Sequence, residues 1–170
     1  MTFNLERSML RRARVLLASL IVAAPLAVQA QTPNLSGTWQ LDAAKSDLGP
    51  MAQMFGGETP KITMVIEHKE PSVSIKTTTE TARGARTADQ SLTTDGKEVS
   101  ATGPRGGTTV TTAKWEGTTL VVTSKRSTPQ GELMQKQMMT LSADGKTLTT
   151  NATAQTPMGE FSTTQVFAKQ

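Results

Sequence analysis

The chain has 170 residues, a formal net charge of +4, no cysteine and a single histidine. Without cysteine there are no disulfides and no thiolate metal sites, and one histidine is too few for most zinc centres. Residues 1–30 hold four arginines and one glutamate, so without them the charge falls from +4 to +1, and no basic surface argues for nucleic acid.

Residues 1–30 read as a secretory signal peptide. Arg7, Arg11, Arg12 and Arg14 make a basic start. An apolar run from Val15 to Val28 follows, broken only by Ser19 and Pro25, and Val28-Gln29-Ala30 offers the small residues a signal peptidase reads. The run is short for a membrane span. Met9 is an alternative start, since Met9 to Ala30 is already a complete signal. Arg11-Arg12 touches the twin-arginine motif, but Ala13-Arg14-Val15 fits it poorly. With no cysteine after the run, a lipid-anchored lipoprotein is excluded. The expectation is cleavage after Ala30, export to the periplasm or beyond, and one domain over 31–170, long enough for its own core.

The first predicted strand covers 36–41, around Gly37-Thr38-Trp39. The stretch from Leu41 to Pro60 is not strand. Pro50 can open a short helix and Gly56-Gly57 can end it. Met51, Met54 and Phe55 then share one face, as a plug over a barrel end or a lid over a ligand mouth.

From there on the chain alternates. Residues 31–170 hold 28 threonines, and Thr, Val and Ile suit a pleated, half-buried surface. Ile62, Met64, Ile66 and His68 point one way, as do Val73, Ile75 and Thr77 in the next run. Turn signals recur at the spacing of one strand plus one turn: Glu70-Pro71, Arg83-Gly84, Asp95-Gly96, Gly103-Pro104, Glu116-Gly117, Gln130-Gly131, Asp144-Gly145 and Met158-Gly159. Asp-Gly-Lys at 95–97 and 144–146 predicts hairpins. Further runs are 86–93, 97–102, 108–115, 118–126, 132–142, 146–154 and 160–168, which makes ten candidate strands. The predicted fold class is all-β, an antiparallel up-and-down meander closed into a barrel, because closure removes the exposed edges. A two-sheet sandwich is the alternative, though its crossovers usually need longer connections.

Catalytic signals are missing. His68 is alone, and a lone histidine at a strand end is most often structural. Asp42 and Asp47 do not have calcium-loop spacing. Gly103-Pro104-Arg105-Gly106-Gly107 could cup an anion but lacks a following helix and reads as a hairpin loop. No GxSxG, P-loop or dinucleotide motif occurs. No enzyme, cofactor or metal is expected. An outer-membrane barrel would need aromatic girdles, and residues 31–170 hold three Phe, two Trp and no Tyr. Met51, Met54, Met64, Met134, Met138, Met139 and Met158 read as core fillers or as an adaptable cavity lining.

Gly37-Thr38-Trp39, with Leu35 before and Leu41 after, resembles the N-terminal signature of the calycin barrels, the lipocalins and fatty-acid-binding proteins. Ten strands with a short helical insertion after the first resemble the fatty-acid-binding type, as does the tail Thr163 to Lys169. The start also resembles that of small exported bacterial lipocalin-like proteins. The resemblance implies that Trp39 seals a closed barrel end and that Gly37 allows close backbone approach. It also implies a cavity facing Phe161, Thr163, Gln165 and Phe167. The chain departs from the family's clamp, carrying Gln165 and Phe167 where arginine and tyrosine are needed. Arg83, Arg86 and Arg105 lie at or beside turns, so no arginine is expected deep inside.

The expected function is an exported carrier or sequestering barrel for an apolar or amphiphilic small molecule, neutral or zwitterionic rather than a free fatty acid. The ligand-binding residues would be Met51, Met54, Phe55, Met64, Ile66, Val73, Ile75, Gln165 and Phe167. A ligand-free envelope protein with a filled barrel is the alternative.

Overall fold

Each alternating run becomes a strand in the computed structural model, which describes residues 32–55, 58–102, 107–128, 131–156 and 159–170. The predicted leader 1–30, the Gly56-Gly57 helix end, most of the Gly103 to Gly107 loop, and Met158 lie outside the described residues, as do the side chains of Met51 and Met54.

The strands are β1 (Gly37–Leu41), β2 (Lys61–Lys69), β3 (Ser72–Thr81), β4 (Gly84–Thr93), β5 (Val99–Thr102), β6 (Thr108–Glu116), β7 (Thr119–Thr128), β8 (Gly131–Leu141), β9 (Thr147–Thr156) and β10 (Gly159–Lys169). They form one antiparallel sheet in the order β4-β3-β2-β1-β10-β9-β8-β7-β6-β5. Every neighbour is sequential except β1 and β10, so the fold is a ten-stranded meander rolled into a barrel, not a sandwich.

The meander forms a nearly closed barrel as expected, with one seam left open. β4 and β5 are not hydrogen-bonded to each other. From Gly84 to Asp89 β4 is exposed on both faces. Asp95-Gly96 does not make the expected hairpin. The Asp95 carboxylate accepts from the Lys97 N–H at 3.1 Å and the Thr93 hydroxyl at 2.9 Å, so the chain reverses. It then leaves toward β6, where the Gly96 N–H donates to the Ala113 carbonyl at 3.0 Å. Salt bridging by Lys97 at 2.5 Å leads the causes that hold Asp95 well below the usual carboxylate range, at about 2. An open seam therefore runs between β4 and β5, pinned at one end.

The pinned end is the closed end. Leu35, Trp39, Ile66, Val73, Ile75, Leu92, Ala113, Leu120, Val122, Met139 and Leu148 pack there, all at most 5 % exposed. Trp39 is fully buried and its indole N–H donates to the Leu35 carbonyl at 3.0 Å. The Lys169 ammonium lies 5.2 Å from the Trp39 ring centroid. A Cβ on Gly37 would stand 2.8 Å from Lys169 Cε, so glycine makes room for that lysine beside the indole. This is where a large aromatic contributes most, because the barrel end narrows and flat rings fill it.

A polar network crosses the same end. The His68 side chain is 3 % exposed; its Nδ1 accepts from the Leu35 N–H at 3.2 Å and its Nε2 lies 3.1 Å from Glu70 Oε1. The Trp115 indole N–H donates to the same oxygen at 2.6 Å, and the Thr94 hydroxyl donates to Glu70 Oε2. Burial pushes the Glu70 carboxyl up, but the hydrogen bonds from Thr94, Trp115 and His68 outweigh it and hold the group below its ordinary value. His68 is thus a structural residue locked in one tautomer.

Candidate ligand-binding site

Toward the other end the inward positions change character. Strand register shows which residues share the core face. Thr77 pairs with Met64 and Thr79 with Ile62. Thr150 pairs with Met139 across β8 and with Gln165 across β10. Gln137 pairs with Val122. These side chains follow the core residues along the barrel interior, and all five are uncharged and polar.

They enclose a cavity of about 170 Å³ lined by Phe55, Ile62, Met64, Thr77, Thr79, Gln137, Thr150, Gln165 and Phe167. One wall is apolar; the rest consists of hydroxyls and amides. A wider space of about 530 Å³ opens at the mouth, with Phe55, Glu58, Thr79, Thr81, Arg83 and Arg86 among its lining. Phe55 and Thr79 line both spaces, so the passage between them runs past the Phe55 ring.

The segment after β1 puts Phe55 there. Past β1 the chain stays against β10: the Asp42 N–H donates to the Val166 carbonyl at 2.7 Å, and Asp47 exchanges two backbone bonds with Thr164. The Ser46 hydroxyl accepts from the Val166 N–H at 2.9 Å. Gly49 then turns at φ +50°, and a Cβ on it would sit 2.9 Å from the Ser162 carbonyl oxygen, so only glycine fits. Pro50 opens a single turn of helix, α1 (Met51–Met54), and Phe55 follows it half-buried at the mouth. The segment belongs to the open end, on the cavity side.

Of the residues expected to meet a ligand, Phe55, Met64, Gln165 and Phe167 line the cavity. Ile66, Val73 and Ile75 do not. They face inward as expected and belong to the closed-end core, where Ile66 and Val73 border a separate space of about 500 Å³ beside His68 and Leu92. Alternation assigns a face, not a depth along the axis. Sequence reasoning missed Ile62, Thr79, Gln137 and Thr150 as lining. The signal for Thr150 was available: it lies two residues beyond Leu148 on the same face of β9. Arg86 lies near the β3–β4 turn, as the sequence suggests. On β4 it pairs with Thr79 of β3 and lines the mouth. The arginines at the mouth do not line the deeper cavity.

No protein-family model matches the sequence, and no curated protein matches it. Solved structures do. A fatty acid transporter, REP1-NXSQ, aligns at 18 % identity with a TM-score of 0.56, covering 80 % of this chain and 96 % of that one. A zebrafish ileal bile acid-binding protein complexed with cholic acid aligns at 18 % identity and TM-score 0.51, covering 79 % and 98 %. The chain has the fold of the fatty-acid-binding, lipocalin-like β-barrels. Secretory abundant heat soluble protein 4 from Ramazzottius varieornatus shares the same barrel at 14 % identity and TM-score 0.59, covering 82 % and 97 %. Within such a barrel the interior side chains, not the strand frame, decide what is bound.

Proposed function

We propose that this barrel binds a small amphiphilic molecule that carries no net negative charge at its buried end, as an exported carrier or sequestering protein. One observation carries the reading: the deep cavity pairs an apolar wall with uncharged polar side chains only. A fatty-acid carboxylate placed there would be buried without a cationic partner, which is unfavourable, whereas a neutral or zwitterionic group is not penalised in that way. Structural neighbours named for fatty-acid transport and bile-acid binding support a small hydrophobic ligand. Binding rather than catalysis is favoured because, among the described residues, the cavity is lined by amides and hydroxyls with no base beside a nucleophile. Export rests on residues 1–30 alone.

Native mass spectrometry of the protein purified from its own envelope tests the reading. The expected result is a co-purifying neutral or zwitterionic lipid-like molecule. An empty protein that also fails to take up an apolar fluorescent probe would favour the second reading, a ligand-free envelope protein. That reading draws on the closed half of the barrel, where Leu35, Trp39, Leu120, Met139 and Leu148 are fully buried.

A further inference from the structure

We infer that the mouth of the barrel holds a zwitterionic head group, a phosphate followed by an ammonium, and that the ligand enters tail first. The inference rests on the binding reading above and specifies its outer end.

Charge is spread unevenly over the inner face. Followed out from the core residues, the inward register positions of the described strands carry no carboxylate. At the open end they carry two arginines: Arg86 on β4, opposite Thr79, and Arg126 on β7, four residues beyond the core residue Val122. Arg83 adds a third cation from the β3–β4 turn. That turn is braced, because the Thr81 hydroxyl accepts from the Arg83 N–H at 3.2 Å and donates to the Gly84 carbonyl at 3.2 Å.

Arg83 and Arg86 line the 530 Å³ mouth and are exposed, so a ligand can reach them. Among the described residues neither makes an ion pair. A guanidinium free at a cavity rim offers its fork of donors to an oxyanion, and phosphate matches that fork. Glu58 lines the same space, is exposed, and is not paired with either arginine. The mouth therefore presents two cations and a separate anion. A phosphate alone answers the arginines and is repelled by Glu58, and so is the carboxylate of a fatty acid drawn in tail first. A phosphate with a trailing ammonium answers both. The acyl chain then passes Phe55 into the deep space, whose lining holds no ionised side chain.

The test uses the full protein with a bound apolar fluorescent probe, displaced by decanoyl lysophosphatidylcholine or by monodecanoin. The two share one acyl-glycerol and differ only in the phosphocholine. Wild type should favour the lysophospholipid by about fivefold at low salt, and the preference should shrink at high ionic strength. Arg83→Gln with Arg86→Gln should cut it to about twofold or less. Glu58→Gln should shift the ratio of decanoyl lysophosphatidic acid, which lacks the ammonium, to decanoyl lysophosphatidylcholine several-fold toward the acid. An undiminished preference in the arginine variant overturns the head-group site, and an unchanged ratio in Glu58→Gln overturns its zwitterionic character. Equal binding of lysophosphatidylcholine and monodecanoin by wild type overturns the site with the binding reading intact. A probe that never binds overturns both.

Discussion

The ring of His68 lies 5.9 Å from the ring of Trp115, centroid to centroid, and both donate to one carboxylate, that of Glu70. His68 sits on β2 and Trp115 on β6, on opposite sides of the open seam. Because Nδ1 accepts from the Leu35 N–H, the proton is on Nε2, which donates to Glu70. One carboxylate therefore ties together two parts of the barrel that no strand ladder joins.

That carboxylate should make stability fall in acid. Glu70 is held below its ordinary value of 4.5 by the fold. A depressed carboxyl contributes stability above its unfolded value and loses it as pH falls through the folded one. Thermal melts should show a loss below about pH 4.5 in wild type. Glu70→Gln should melt lower at neutral pH and flatten the acid limb. Parallel curves for the two proteins would show that Glu70 is not the linked group.

Trp39→Ala should destabilise the barrel by about 3–5 kcal/mol, since it empties the closed end and orphans the Leu35 carbonyl. Denaturant unfolding measures this directly. A variant as stable as wild type would mean that the indole does not seal the end.

Phe55→Ser should widen the passage between the deep cavity and the mouth. A bound apolar probe should leave several-fold faster, with a smaller change in equilibrium affinity, because the ring borders the path more than the floor. Stopped-flow displacement separates the two quantities. Replacing Met51, Met54 and Phe55 together should exceed the effect of Met158→Ser, at a position that the sequence marks only as a turn signal; equal effects would detach the segment from the cavity.

Gln165→Arg should invert the ligand preference. Wild type should bind a monoglyceride more tightly than the matched fatty acid, and the variant should shift toward the acid by about tenfold through a charge-assisted pair. Tight fatty-acid binding by wild type at neutral pH would show that its charge is neutralised elsewhere.

N-terminal sequencing of the envelope protein should begin at Gln31. A product that still carries Arg11-Arg12 would refute the export argument.

Much of the barrel can be read from the amino acids. Turn residues such as Asp144-Gly145 and the alternation from Ile62 to His68 mark strands whose neighbours are sequential, and local chemistry decides those. The seam could not be read in the same way. Asp95-Gly96 reverses the chain just as Asp144-Gly145 does, and nothing local says that the departing strand will meet β6 instead of β4. Depth was equally hidden. Ile66 and Thr79 share a face, yet one is in the core and the other in the cavity. That difference depends on how far each strand is staggered against its neighbours. The Glu70 network joins residues 45 positions apart through a single side chain, and such contacts leave no periodic trace.

The pairing of β1 with β10 has a consequence for synthesis on the ribosome. As the chain emerges, β2 to β4 can add in turn to β1, and β5 to β10 then form a second run that starts afresh at the seam. β1 meets its second neighbour only when the last strand has been made, so a five-residue strand carrying Trp39 waits for the whole domain. Until then the closed end has no seal. Joining the two ends and cutting the chain in the Thr94 to Glu98 connection would give a sequence whose order along the chain equals the order of strands in the sheet. Such a circular permutant makes every strand pairing local and should refold faster than the natural order.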